Sequence, residues 1–496
     1  KMIIFTNNQQ SEKYFDSVLL QEPGFFCEEL TLKIYNDNIA EVELFRYMKR
    51  YDTYKVELSS QEYKKISAKM PIREERYTSE FRFQKAKGKI KFKEDEYNIA
   101  IKPRGGTWYH WENKKKSYTI KANKDSNPTK LFYIPEKRAM LGEYLVHKIA
   151  KSIDLLALDS TFGYLEINRK NQGLYYISDD YDKRFLIKNN LPESNIYHTD
   201  PYKSDSNFNV SDIKKNVFLG NVNKYSDRYD VDVDYFTKII NEDNFYLSGN
   251  WKNHFDQENL VRMLALYLLT GTTHYMLHNM YFYINPVNGK IYFFPWDFMN
   301  HHHGGDLSLR GGENLNDYIN VNQIFSKLLE IKEIRYLRNK FIYEHADNII
   351  SFIEEFENEE VPHIFVSMLL DNTISLAGEG QRPSFLEFMK ISQLFKDNLK
   401  FQHQKLKKNS TELEFKTIIK DGTAELNINL LSYVGINIHC IKITYSDDNE
   451  SSCYKKDTKL FSNIGYEKIH GATISMQPTN NRMNIEIPID KTIRKI

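Results

Sequence analysis

Apolar and polar positions alternate along the first part of the chain, in Leu30-Thr31-Leu32-Lys33-Ile34-Tyr35 and Val42-Glu43-Leu44-Phe45, then in Tyr54-Lys55-Val56-Glu57-Leu58, Phe81-Arg82-Phe83 and Tyr97-Asn98-Ile99-Ala100-Ile101. A period of two puts one face in a core and the other in water, so these segments predict strands. Residues 1–53 read as a β appendage with a turn at Asn36-Asp37-Asn38, and residues 54 to about 195 as the antiparallel sheet of an N-terminal lobe. Leu141, Leu145, Ile149 and Ile153 recur at helical spacing and mark a helix with one buried stripe. Glu143, on that helix, reads as a surface residue. Tyr164 to Ile167 and Gly173 to Ile177 predict a further hairpin.

Residues 200–250 are rich in Ser, Asn, Asp and Lys with weak periodicity, and predict an irregular insertion. Asp256 then offers an N-cap, and Leu260, Met263, Leu264, Tyr267 and Leu268 give a buried helix ending at Gly271. Strands Met280 to Asn285 and Lys290 to Phe294 follow, joined through Asn288-Gly289, a strong hairpin signal. From Val321 to Lys408 helical patterns dominate, completing a second lobe over about 196–410. After Lys408 the texture returns to strands, including Glu412 to Ile419, Ala424 to Leu430 and Met483 to Ile487, which predict an appended β-sandwich over 411–496. The class is α+β.

Chemistry concentrates around the central hairpin. Asn279 precedes its first strand and Asp297, in Pro295-Trp296-Asp297, follows its second, so antiparallel pairing brings both side chains to one end. Carboxylate and amide oxygens suit a hard cation that keeps positions open for phosphates. The same order of helix, loop, Asn, hairpin and Asp holds the metals of kinases. The plain alternative makes Asn279 a turn residue and Asp297 a strand cap. Upstream, Arg104-Gly105-Gly106 breaks a strand, Lys114-Lys115-Lys116 forms a basic loop, and Ser117 to Lys121 restarts the strand. Glycine amides and cations in this order can cradle phosphates, or form a solvated hairpin tip. The residues leave open which ammonium group faces a ligand, with Lys121 the alternative to the three in the loop. His301-His302-His303 tempts a zinc assignment, but adjacent residues rarely point at one ion.

Leu277-His278-Asn279, the hairpin and Pro295-Trp296-Asp297 resemble the core of the CotH spore-coat-protein kinases. The likeness continues in Arg104-Gly105-Gly106, Lys114 to Tyr118 and Gly173-Leu174-Tyr175, over roughly 54–405. It implies a protein-kinase-like two-lobed fold, ATP with Mg2+ or Mn2+ as cofactors, and a metal held by Asn279 and Asp297. It also implies a hinge at Ser178-Asp179-Asp180, with Asp179 on the ribose or adenine and Tyr197 or His198 as a stacking ring. The base position of the family, usually Asp, falls on His274, and a second family Asp falls on Met299.

Composition changes this picture little. Lys plus Arg number 68 against 67 Asp plus Glu, and a net charge of +1 gives no reason to expect nucleic-acid binding or adhesion to anionic membranes. Cys27, Cys440 and Cys453 are too scattered for a disulfide framework, although a Cys440–Cys453 bridge stays open. No apolar run approaches the roughly 18 residues of a membrane helix, so the sequence predicts a soluble chain. Its start, Lys1 to Phe5, is too short for a signal peptide.

The expected function is an ATP-dependent phosphotransferase acting on a protein hydroxyl. The alternative is a catalytically degenerate binding protein of a spore coat, cell surface or secreted setting. A histidine-based hydrolase lacks the ligand spacing.

Overall fold

The computed structural model describes residues 2–5, 30–36, 39–44, 51–67, 83–105, 110–111, 114–123, 129–134, 140–199, 217–219, 228–242, 250–270, 279–298 and 322–369. It also describes most positions among 371, 373 and 392–406, and strands between 413 and 495. Three strands, β1 (Met2–Phe5), β2 (Leu30–Asn36) and β3 (Ile39–Leu44), form the N-terminal sheet in the order β1-β3-β2.

The alternating region that follows is a closed barrel, where the sequence predicted an antiparallel sheet. Its strands are β4 (Thr53–Leu58), β5 (Ala86–Phe92), β6 (Asp95–Pro103), β7 (Tyr118–Ala122), β8 (Lys130–Tyr133), β9 (Ser160–Ile167) and β10 (Lys170–Asp179), in the order β10-β8-β7-β6-β5-β4-β9. Closure comes from parallel pairing of β4 with β9, Thr53 opposite Tyr164 through Val56 opposite Ile167. Alternation fixes which face of a strand is buried but carries no information on such a distant partner. Tyr54, Val56, Ile90, Ile99, Ile101, Ile120, Phe132, Leu165 and Ile177 fill the interior. Helix α1 (Ser60–Ser67) buries Ile66 against it.

Helix α2 (Met140–Ser152) carries the predicted stripe, with Leu145 and Ile149 buried. Glu143 is only 7 % exposed, contrary to its surface reading. His147 lies one turn on, with Nε2 3.4 Å from the Glu143 carboxylate, and its Nδ1 is 3.0 Å from the Tyr176 hydroxyl. Burial lowers the His147 pKa from 6.5 to about 4, keeping the ring neutral.

After helix α3 (Lys183–Lys188), capped by Asp182, a second sheet runs β12-β11-β13-β14. It consists of β11 (Ile196–Thr199), β12 (Val217–Leu219) and the hairpin strands β13 (Tyr281–Ile284) and β14 (Ile291–Phe294). The supposed irregular insertion over 200–250 thus contributes a strand and also α4 (Tyr229–Asn241), and the short α5 (Trp251–His254) follows it. The α4 face of Val233, Phe236, Ile239 and Ile240 is buried. Polar neighbours on every side masked that stripe in the sequence. Helix α6 (Gln257–Thr270) starts where Asp256 accepts the Asn259 amide at 2.9 Å. Helices α7 (Gln323–Glu330), α8 (Lys332–Glu359) and α9 (Val361–Leu369) complete this part.

The largest core does not stop at a lobe boundary. It runs from Tyr144, Leu145 and Ile149 of α2 and Phe162 and Tyr176 of the barrel into α6, α8 and the hairpin. Beyond 412 the strands pair antiparallel in separate small sheets, among them Leu413–Lys420 with Thr423–Leu430 and Met483–Pro488. Pairing is what is seen there.

Candidate functional site

The hairpin is built to hold its ends still. Tyr281 pairs with Phe294 and Ile284 with Ile291, and the turn closes with the Gly289 amide donating to the Asn285 carbonyl at 2.8 Å. Gly289 has φ +71, the left-handed region that favours glycine. Strand β14 is the sheet edge, and Asn259 of α6 covers it, its side chain accepting from Phe293 N at 2.8 Å and donating to Phe293 O at 3.1 Å. Buried backbone groups on an edge need such partners. Sequence reasoning missed Asn259, because a lone Asn on an apolar helix carries no signal of its partner. Past the strand, the Tyr181 hydroxyl donates to Pro295 O at 2.5 Å, and Trp296 packs on the rings of Tyr281 and Tyr181.

These restraints bring Asn279 and Asp297 together. Nδ2 of Asn279 donates to Oδ2 of Asp297 at 3.5 Å, across 18 residues of chain. Exchanging the two amide atoms, which are equivalent in shape, turns an oxygen to the same point. Asp297 also has φ +51, a conformation that costs a non-glycine residue about 1 to 2 kcal/mol and clusters at functional sites. Among the described residues no three His, Cys, Asp or Glu side chains form a metal cluster.

The barrel carries the expected cationic residues. On β6 the side chains of Ala100 and Lys102 alternate with the interior Ile99 and Ile101, and Arg104 follows the strand's end at Pro103. The Arg104 guanidinium lies 4.2 Å from the Tyr133 ring centroid. Burial pushes the Tyr133 phenol well up; the charge of Arg104 opposes this, and those of Asp297 and Asp180 add to it. Tyr133 is therefore within electrostatic reach of both Arg104 and Asp297. Nη1 of Arg104 is buried and makes no hydrogen bond among the described residues. Asp180 is buried too, and desolvation raises its pKa from 3.8 to about 6 despite the opposing charges of Arg104 and Lys102. Lys102 was not singled out in the sequence, although stepping two residues back from Arg104 reaches it, and Asp180 was named only as part of the hinge run.

The other expected residues fall in different surroundings. Gly105 has φ +108, and a Cβ there would lie 2.3 Å from the His110 ring, so this position requires glycine. Gly106 and His274 lie outside the described residues, as do His278, Met299 and His301 to His303. Lys114 is exposed, and Lys116 is half-buried with its pKa lowered by desolvation. Lys115 is wholly buried in an ion pair with Asp371 at 3.0 Å. Lys121 is exposed opposite Ala100, on the same side of the sheet as Lys102. Asp179 pairs with Lys130, and burial raises its pKa. Together with Asp180 it borders a cavity of about 900 Å³ whose wall includes Leu155, Arg184 and Phe185. Tyr197 is a core ring, fully buried, stacked on Phe282, with its hydroxyl donating to Asp232 at 2.6 Å. A ring so enclosed presents no open face; His198 stacks on Tyr281.

Comparison with known proteins bears on the same stretch. Inner spore coat protein H of Bacillus subtilis (strain 168) is 24 % identical over 190 residues, 36 % of this chain and 51 % of that protein. The chain therefore matches about half the length of that relative. A family model described as CotH kinase protein matches residues 101–364, which include Arg104, Asp180, Asn279 and Asp297. With more than half its length matched, from the arginine turn of the barrel through the hairpin to the helices beyond, the chain belongs to the CotH family.

Proposed function

We propose that this chain is a kinase-like phosphotransferase that transfers the γ-phosphoryl group of ATP to a protein hydroxyl. The nucleotide lies between the barrel wall and the hairpin, which serve as two lobes. The carrying observation is the meeting of Asn279 and Asp297 at 3.5 Å beside the Tyr133 and Arg104 wall. The Asp297 carboxylate and the Asn279 amide oxygen would hold Mg2+ or Mn2+, a hard cation that keeps positions open for phosphates. A bound metal supplies neutralisation of phosphate charge. Arg104 offers its guanidinium charge to a phosphate, Lys102 adds a second cation, and Asp180 opposes their charge. Gly105, Gly106 and the ammonium groups of Lys114, Lys116 and Lys121 stand as further contacts, and Asp179 as a contact near the cavity behind the wall. His274 takes the acceptor's proton or orients its hydroxyl.

The setting proposed is a spore coat or cell surface, following the coat protein it resembles. A degenerate binding protein is the second reading, favoured by His274 standing where the family usually has Asp.

The test is label transfer from γ-labelled ATP with Mg2+ or Mn2+ to candidate proteins and to the chain itself. Asp297→Ala is expected to lose about 10²-fold or more in rate. ATP binding without transfer supports the binding protein, and transfer undiminished in Asp297→Ala removes the metal assignment. His274→Ala is expected to cost on the order of 10²- to 10⁴-fold through loss of the base. An unchanged rate eliminates that role.

A further inference from the structure

The basic loop is tied to a segment beyond the region that the family model matches. Asp371 follows α9, and its carboxylate accepts from Lys115 Nζ at 3.0 Å, Leu174 N at 2.7 Å, Thr373 N at 2.9 Å and Thr373 Oγ1 at 2.7 Å. Thr373 Oγ1 is also 3.0 Å from the Gln172 carbonyl. The ammonium and carboxylate are 0 % and 1 % exposed and lie 256 residues apart in sequence. Two opposite charges taken out of water this completely hold together only when well hydrogen-bonded, and for the carboxylate the four donors on Asp371 meet that condition.

The ion pair continues toward the site through short links. Lys116 O accepts from Tyr175 Oη at 2.9 Å, and Lys115 Nζ is 5.2 Å from the same ring. Ser117 N donates to His110 O at 2.7 Å, and Ser117 O accepts from Arg104 N at 3.0 Å. Arg104 in turn covers Tyr133.

We infer that Lys115 and Asp371 are positioning residues: a buried latch from the C-terminal part of the chain that sets the loop carrying Arg104 in register for nucleotide phosphates. The inference rests on the nucleotide reading above. Lys115 then acts through the loop and touches no phosphate, which separates it in role from Lys114, Lys116 and Lys121.

The experiment uses the full chain with Lys115→Met and Asp371→Asn together, since removing both charges leaves neither orphaned. Two quantities are read: hydrogen exchange at the Arg104 and Ser117 amides, and the Kd for ATP with Mg2+. Faster exchange and a Kd weakened roughly 10-fold are expected. Unchanged exchange overturns the latch. Faster exchange with an unchanged Kd overturns its positioning role. A parent chain that does not bind ATP removes the nucleotide reading and the positioning role with it, while exchange still reports whether the latch holds the loop. Should the double variant fail to fold, Thr373→Val keeps both charges, loses one donor to Asp371, and carries the same readouts with a smaller change.

Discussion

Gly173→Ala is expected to lower the melting midpoint by on the order of 5 to 10 °C, an effect of about 3 to 5 kcal/mol. Gly173 has φ +88, and a Cβ there would lie 1.8 Å from Thr373 Oγ1 and 2.3 Å from Asp371 Oδ2. The left-handed backbone accounts for about 1 to 2 kcal/mol. The remainder comes from pushing a carboxylate that four donors hold in place. Gly289→Ala separates the two causes, because Gly289 has φ +71 but its nearest neighbour is Tyr235 Oη at 3.9 Å. That variant is expected to show the backbone cost alone. Thermal unfolding checks both, and equal losses in the two variants mean that Asp371 and Thr373 do not crowd Gly173.

Stability against pH should reveal two buried groups of opposite sign. Asp180 has its pKa raised from 3.8 to about 6, mainly by burial. The folded state therefore binds its proton more tightly, and the stability this contributes is complete below 3.8 and lost as pH rises through 6. The difference corresponds to about 3 kcal/mol, at 1.36 kcal/mol per tenfold change in proton affinity. His147 is shifted the other way, from 6.5 to about 4, by burial. Its contribution is complete above 6.5 and lost as pH falls through 4, again about 3 kcal/mol. In the parent the two slopes nearly cancel between pH 4 and 6. Asp180→Asn is expected to be more stable than the parent by about 3 kcal/mol at pH 7.5 and equal to it below pH 4, whereas His147→Gln should be relatively protected toward acid. Denaturant unfolding across this range, read as variant minus parent, checks the signs. A difference for Asp180→Asn that does not vary with pH would show that Asp180 is not the group held protonated.

The local elements were legible where the period was clean. Leu260 to Leu268 announced α6 and Asp256 its cap, and the strands flanking Asn288-Gly289 announced the hairpin. From the hairpin alone it followed that Asn279 and Asp297 share one end, because antiparallel pairing is a local consequence of a tight turn. The α4 stripe was not legible, since its four apolar positions sit among Asp, Lys and Thr.

Short-range pattern and turn chemistry thus determined the strands, the main helices and the meeting of Asn279 with Asp297, and motifs carried the CotH resemblance. Tertiary structure alone decided that β4 closes the barrel on β9, that Glu143 and His147 are buried, and that Lys115 leaves the basic loop for Asp371. It also decided that Asp180 is buried within the field of Arg104 while Asp179 meets Lys130. The physical reason is range: periodicity records which side of an element avoids water, whereas a buried charge is specified by a partner up to 256 residues away. No spacing rule along the chain encodes that partner, because loop closure over such lengths costs little more than over shorter ones.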